Sequence, residues 1–470
     1  MRHLDATLGH SPQANGIPRP HRVQVAGGSI KRTLGIVCFL NFLAICWPVW
    51  YQLGFSPSGL PAWLGRSGLY LFTQALALIP AAWLALTLRR RSCNRQSLAS
   101  AYRLGSVFIV ATLSLCTYGV LHGNNNVYVF MYTTVFAYFG LFVCLGAHEE
   151  VWRALQSILL PLFWLGVPLI VAATVIPGIN AVFSSPSAVA ISEDRFTWAA
   201  GYDIRLVMNM WPLLFLGSLY YRRSRAVIIA SRGTILGPPV LTLLYFKNRS
   251  DLLGPLVMIL LVLLVFARSH SKMFVNAIRV ILPAALLAAL LYSVPAAWVD
   301  DVSERLIPTT GAISSSDLVR LYEAESLLED LSPVEWIVGK GLGGGFETNA
   351  EVGANAYVLR GTRTEVHFGA LFPLLEGGLT LSLVLFGSIA VTLAKSFRLL
   401  SRRREVGMSW VLLAYFAIVV MVSPFPTLAD VYTAMLGGLA LGRLRGELRA
   451  RDARPFVAAR QRQTQMAAAR

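Results

Sequence analysis

The sequence reads Trp336-Ile-Val-Gly-Lys-Gly-Leu-Gly-Gly-Gly-Phe346 near the centre of a polar segment that runs from Ala296 to Glu365. The chain around it has 470 residues, of which 55% are hydrophobic and only 14% are charged. Its mean hydropathy is +0.59. A soluble protein of this size needs more polar surface. We therefore expect a polytopic membrane protein in which this segment is the longest polar connection.

Apolar runs on both sides of the polar segment approach the length of a bilayer-spanning helix, about 20 residues. They predict an all-α polytopic membrane protein with about 12 transmembrane helices and one large external loop that contains short amphipathic helices. The predicted spans are 34–53, 68–88, 105–121, 127–146, 156–176, 206–221, 226–246, 252–267, 273–294, 367–394, 408–423 and 429–443. The predicted divisions are a disordered tail at 1–33, transmembrane helices 1–9 at 34–294, the outer loop at 295–366, transmembrane helices 10–12 at 367–443 and a basic tail at 444–470.

Lysine and arginine are unequally distributed between alternate connections. If both termini lie on one side, the tails and connections of that side hold 30 of the 41 basic residues, and the other side holds 10. The positive-inside rule then predicts cytoplasmic termini and a periplasmic outer loop in a bacterial inner (cytoplasmic) membrane. Basic patches that face anionic headgroups explain the net charge of +17. We therefore expect membrane lipids, and no nucleic acid, as partners.

The outer loop contains two local patterns. Apolar residues recur at a helical period between Asp317 and Asp330, which predicts an amphipathic surface helix that breaks at Ser332-Pro333. The run Gly339 to Gly344 fits the spacing G-x-G-x-x-G, but it lacks the βαβ surroundings of a dinucleotide site. It is either a flexible or tight turn, or a backbone that must approach a substrate or another chain closely, which glycine permits.

Ionisable residues near the predicted membrane surface are the candidates for chemistry. His367, at a predicted helix start, is either structural or a general base or hydrogen-bond donor. Glu376, inside an apolar span, either pairs with an arginine or is protonated and structural. Four arginines either extend to lipid headgroups or together bind a pyrophosphate, since guanidinium groups bind phosphate oxygens in pairs. These arginines are Arg195, Arg205, Arg249 and Arg320.

Cysteine and metal-ligand patterns point to no cofactor. All five cysteines fall in predicted spans or on the predicted cytoplasmic side, and no C-x-x-C spacing occurs. We therefore expect neither a disulfide, nor a metal site, nor any other cofactor.

The arrangement of motifs resembles the superfamily of O-antigen ligases and O-antigen polymerases (Wzy-type). Arg320 lies about twenty residues before a Gly-x-Gly-x-Gly run that includes Gly341 and Gly343, and His367 precedes Leu374-Leu-Glu-Gly-Gly378. Asn248-Arg249-Ser250 is similar to an arginine-containing segment of the family, and either Arg195 or Arg205 corresponds to its earlier external arginine. The family often has His-Asn where this chain has His367-Phe368.

The resemblance implies an inverting, metal-independent glycosyltransferase whose donor is a glycan on undecaprenyl pyrophosphate. It implies catalytic roles for His367, Arg320 and Arg249, pyrophosphate binding by Arg205 and Arg195, and supporting roles for Glu376, Gly341 and Gly343. The function we expect is a polysaccharide polymerase for exopolysaccharide, capsule or O-antigen, which would act with the flippase and chain-length regulator of its pathway. The alternatives are a ligase that transfers glycan to lipid A-core and, from another class, a flippase or transporter of lipid-linked oligosaccharide.

Overall fold

The computed structural model describes residues 22–45, 66–91, 96–175, 216, 257–265, 315–352, 357–364, 366, 368–400, 404–422 and 431–468. Before the outer loop, the described residues include the helices α1 (Arg22–Ile45), α2 (Arg66–Arg91), α3 (Gln96–Leu121), α4 (Asn126–Gly146) and α5 (Glu149–Val175); residues 257–265 are helical as well. The outer loop forms α6 (Ser315–Asp330), α7 (Pro333–Val338), β1 (Phe346–Val352) and β2 (Tyr357–Arg363). After it come α8 (Phe372–Ser382), a π-helical turn (Leu383–Gly387), α9 (Ser388–Phe397), α10 (Arg404–Val422) and α11 (Val431–Ala468).

Long apolar helices confirm the membrane character that the composition predicts. Within the described residues, four segments are long and apolar enough to cross a bilayer: Phe72–Arg91, Leu98–Leu121, Asn126–Gly146 and Phe372–Phe397. Val406–Met421 is apolar but shorter. The predicted spans at 206–221, 226–246 and 273–294 fall almost entirely outside the described residues, so the total of about 12 stays a prediction.

The first helix begins earlier than the sequence predicts. We expected a disordered tail up to residue 33, but α1 begins at Arg22, so residues 22–33 are helical. Ile30 and Leu34, one turn apart, are both buried in the main hydrophobic core. Burial on one helical face extends the helix beyond the apolar run that marks the predicted span.

Helices α4 and α11 form the tightly packed centre of the main core. Gly438 and Gly442 lie four residues apart on α11 and therefore on the same face. A methyl group added at Gly438 would lie 2.4 Å from the Phe139 carbonyl oxygen, and one at Gly442 would lie 2.0 Å from the Val143 carbonyl oxygen, both on α4. This is the small-residue spacing that lets membrane helices approach closely.

The outer loop contains a sheet as well as helices. The predicted amphipathic helix is confirmed as α6. The sheet is an addition that the sequence does not predict, in which β1 and β2 pair antiparallel with Phe346 opposite Arg363. Phe346 and Thr348 are buried while Glu347 is exposed, which is the two-residue period of a half-buried strand.

Candidate functional site

The glycine segment, residues Gly339–Gly345, packs between the α3–α4 connection and the start of α8. Each backbone amide from Gly339 to Gly344 donates a hydrogen bond. The amides of Gly339, Lys340 and Gly341 donate to the carbonyl oxygens of Glu335 (2.7 Å), Leu375 (2.8 Å) and Glu376 (3.1 Å), respectively. The Leu342 amide donates to the Leu115 carbonyl oxygen (3.3 Å), and the Gly343 amide donates to the Glu376 carboxylate (2.7 Å). The Gly344 amide donates to the Gly341 carbonyl oxygen (3.0 Å). Irregular backbone beside membrane helices is stable only when its polar groups are satisfied in this way.

Left-handed glycines allow this close packing. Gly341 has φ +80°, and an added methyl group would lie 2.7 Å from Tyr118 Cδ1 and 2.8 Å from the Gly119 nitrogen. Gly378, with φ +61°, interrupts α8, and its added methyl group would lie 2.4 Å from the Ile337 carbonyl oxygen. The close approach of the glycine run is to other segments of the same chain, and an approach to a substrate or to another chain stays a prediction. Gly343 is likewise left-handed, with φ +74°.

Glu376 accepts a hydrogen bond from a backbone amide of the glycine segment. Its side chain is fully buried, and one carboxylate oxygen, Oε2, accepts the hydrogen bond from the Gly343 amide. The other oxygen, Oε1, has no hydrogen-bond partner within the part of the chain that the structure describes. No ion pair joins Glu376 to an arginine among those residues. Of the two alternatives for Glu376, pairing with an arginine is not seen among the described residues, where its observed contact is with the glycine segment.

Asn124 hydrogen-bonds to backbone carbonyl groups of the glycine segment, and the sequence does not predict this role. Its Nδ2 lies 2.9 Å from the Lys340 carbonyl oxygen, 3.3 Å from that of Gly341 and 3.1 Å from that of Leu342. The one available signal was the polar run Asn124-Asn-Asn126 between two apolar spans. A short polar connection gives no indication of which distant segment its side chains will contact.

A second hydrophobic core, here called the loop cluster, joins the outer loop to α8. Its buried members come from α6 and the residue after it, from β1, from residue 366 and from α8. They are Leu327, Leu331, Phe346, Val366, Leu374 and Leu375. Trp336, Phe368 and Leu371 pack against them. The cluster makes α6, the sheet and the start of α8 one packed unit.

Ion pairs fix the elements around the loop cluster. The buried Glu323 on α6 pairs with Arg363 on β2, and Asp330 at the end of α6 pairs with Lys340 in the glycine segment. Arg320, the described member of the predicted arginine set, lies on α6 one turn before Glu323 and is partly buried. Residues three apart on a helix share a face. Arg320 therefore lies on the helical face that is anchored to the sheet.

His367 itself lies outside the described residues, but its surroundings correct one prediction. The helix opens at Phe372 and not at His367, and a turn over residues 369–371 precedes it. Pro373 explains the later start, since proline is favoured in the first helical turn, where its missing amide costs nothing. On the two sides of His367, Val366 is buried in the loop cluster and Phe368 packs against it.

The other predicted arginines are not brought to this site by the described structure. Arg195, Arg205 and Arg249 lie outside the described residues, so the pyrophosphate-binding set stays a prediction. No group of three or more His, Cys, Asp or Glu side chains with the arrangement of a metal site occurs among the residues that are described.

Comparison with known proteins adds no assignment. No protein-family model matches the chain, and no curated protein matches its sequence significantly.

Proposed function

We propose that this protein is a membrane-embedded glycosyltransferase that uses a glycan on undecaprenyl pyrophosphate as its donor, and that it acts as a polysaccharide polymerase. The loop cluster is the observation that carries the proposal. It packs together α6, which bears Arg320, the residues that flank His367, and the start of α8, which bears Glu376. These are the segments that carry the motif resemblance; α6 comes earlier in the sequence than the other two, which adjoin each other.

The chemistry requires cations near a membrane surface. An acceptor hydroxyl oxygen attacks the anomeric carbon of the donor, the bond from that carbon to the pyrophosphate oxygen breaks, and the configuration inverts. The hydroxyl proton passes to a base, and negative charge develops on the leaving pyrophosphate. Fixed cations that face this developing charge lower the barrier. Arg320 and Arg249 supply them in our proposal, Arg205 and Arg195 bind the pyrophosphate, and His367 receives the proton or orients the acceptor.

Two other cations of the outer loop have structural roles. Lys340 is paired with Asp330, and Arg363 is paired with the buried Glu323. Breaking either pair to bind a phosphate would leave a carboxylate without its partner, and this is most costly for Glu323 because it is buried. We therefore leave Lys340 and Arg363 out of the proposed substrate-binding set.

A deletion strain tests the function. The gene is deleted, and the bound and free polysaccharide is resolved by size after complementation with wild type or with the variants Arg320→Ala, Arg249→Ala and His367→Ala. We expect loss of long chains while single repeats persist, and poor rescue by the three variants at normal protein level. Arg153→Ala is the matched control, since Arg153 is exposed and pairs with Glu149 at the start of α5, within its own helix.

Other outcomes identify the alternatives. Long chains that accumulate on the lipid carrier would indicate a ligase. Normal polysaccharide in all three site variants would contradict the assignment of the site. Trapping of intact lipid-linked repeats on the cytoplasmic side would indicate a transporter.

A further inference from the structure

We infer that α7 lies within the outer leaflet of the bilayer and presents an apolar face to the acyl chains of membrane lipids. The inference concerns an interaction surface and does not depend on the proposed glycosyl transfer. It assigns a location to a helix that belongs, by sequence, to a polar external loop.

Three aliphatic side chains form the exposed face of α7. Val334 is 65% exposed, Ile337 is 58% exposed and Val338 is 38% exposed. At 3.6 residues per turn, these three positions span an arc of about 100° around the helix axis and so lie on one side of the helix. The three branched aliphatic residues lie side by side on a six-residue helix, and a contiguous exposed apolar patch marks an interaction surface.

The opposite side of α7 is attached to the protein. Trp336 points away from the aliphatic face by helical spacing and packs against the loop cluster. Thr380 on α8 donates a hydrogen bond of 2.8 Å from its hydroxyl to the Ile337 carbonyl oxygen. The helix is therefore held in a fixed orientation, with its aliphatic face outward.

The contact with α8 places the end of α7 beside a membrane span. The carbonyl oxygen of Ile337 lies against Gly378, which belongs to the apolar span Phe372–Phe397. The end of α7 therefore lies beside residues of the span and not beyond its end.

The contact with α3 gives the depth. The Leu342 amide donates to the Leu115 carbonyl oxygen, and Leu115 lies six residues before the end of α3, about 9 Å from the helix end. The apolar span Leu98–Leu121 has 24 residues and extends about 36 Å, so about 3 Å projects at each end of a hydrocarbon layer about 30 Å thick. The segment from α7 to Leu342 thus enters the layer between two membrane helices.

The polar groups of α7 are confined to its first turn. Ser332 and Glu335 form a capping box, in which the Ser332 amide donates to the Glu335 carboxylate at 2.8 Å and the Glu335 amide donates to the Ser332 hydroxyl at 3.3 Å. Partial burial alone would raise the pKa of Glu335, but the hydrogen bonds from Ser332 and the charges of Lys340 and His122 outweigh it, so the pKa is lowered.

Continuity with the membrane-facing surface of α8 identifies the occupant. Leu379 is 45% exposed and Leu383 is 68% exposed, and their four-residue spacing puts both on one side of the span next to Thr380. The aliphatic face of α7 extends this surface. Both faces therefore contact the same acyl chains.

Site-directed fluorescence tests the inference. Val334→Cys and Ile337→Cys are labelled with the fluorophore NBD in a background whose native cysteines are replaced by alanine, and the protein is reconstituted in phosphatidylcholine vesicles. Glu329→Cys, at an exposed position on α6, is the matched control. We expect lipid-attached doxyl groups to quench the labels at 334 and 337 while aqueous iodide does not, and the reverse at 329.

A second readout keeps the test decisive if the cysteine-free background folds poorly. A photoreactive phenylalanine analogue at position 334 of the otherwise native chain should form lipid adducts, whereas one at position 329 should not. Iodide access at 334 and 337 equal to that at 329 would overturn the inference. So would protection from both quenchers, which would mean that protein covers the face. Protection that arises only after undecaprenyl phosphate is added would assign the face to the lipid carrier and also overturn it.

Discussion

Two side chains form hydrogen bonds with the backbone of the glycine segment, one with an amide group and the other with carbonyl groups. Glu376 accepts from the amide of Gly343, and Asn124 donates to the carbonyl oxygens of Lys340 and Leu342. Glu376 is buried near the start of α8, and Asn124 is partly buried in the α3–α4 connection, so water does not readily replace a lost partner at either position. Single substitutions should therefore separate the contribution of each contact.

Gly341→Ala should lower the thermal stability of the protein in detergent. An alanine at φ +80° costs about 1–2 kcal/mol, and its methyl group would also lie 2.7 Å from Tyr118. Gly123→Ala is the matched control, because Gly123 has φ +71° but nothing within 4 Å of the added methyl group. The unfolding temperature should fall clearly further for Gly341→Ala; equal decreases would refute steric packing of the glycine segment.

Glu376→Gln should keep both stability and activity, whereas Glu376→Leu should lose both. The amide oxygen of glutamine can still accept from the Gly343 amide, while leucine leaves that buried amide without an acceptor, at a cost of about 1–3 kcal/mol. Melting temperature and polysaccharide length are measured in parallel. A glutamine variant that is stable but inactive would show that the carboxyl group takes part in the chemistry, contrary to the supporting role proposed here.

At the scale of elements, periodic patterns were predictable and packing partners were not. The helical period between Asp317 and Asp330 correctly predicted α6. The short helix α7 and the β1–β2 pair were missed, because six or seven residues give too little periodicity to distinguish helix from strand or turn. The helix start near His367 was placed too early, because hydropathy marks where an apolar run begins and not where its first turn closes.

Docking of the glycine segment on the α3–α4 connection should depend on Asn124. Asn124→Ala removes the donor to three carbonyl groups, and Asn124→Asp puts carboxylate oxygens beside them, so we expect the aspartate variant to be the less stable. Asn126→Ala, at the exposed first residue of α4, is the control. Limited proteolysis of the outer loop measures the effect. Similar cleavage rates in all four proteins would contradict the assigned role of Asn124.

At the scale of the whole molecule, composition predicted a helical membrane protein and charge asymmetry predicted its orientation. Four spans support the first prediction. The outer loop is polar on average, and this average predicts that the loop lies outside the membrane. Within it, Leu342 is nevertheless buried in the main core beside the membrane helices. The sequence shows that a polar loop contains apolar residues, but only the structure shows which of them are buried.

The orientation can be tested on the full-length protein. Glu329→Cys on α6 should react with a membrane-impermeant maleimide in intact cells whose outer membrane is permeable to it, because the outer loop is predicted to be periplasmic. Arg449→Cys, exposed on α11, should react only after the inner membrane is opened. The opposite pattern would reverse the orientation and would put the proposed site on the wrong side for a periplasmic polymerase.

The most direct test of the central claim is to measure glycan length and released undecaprenyl pyrophosphate together in liposomes that contain the purified protein and a lipid-linked repeat unit. We expect wild type to lengthen the glycan and to release one carrier for each bond formed, without added acceptor and in the presence of EDTA, and we expect Arg320→Ala to do neither. Lipid-linked repeats that cross the bilayer or remain unchanged, with no glycosidic bond formed under any of these conditions, would contradict the account.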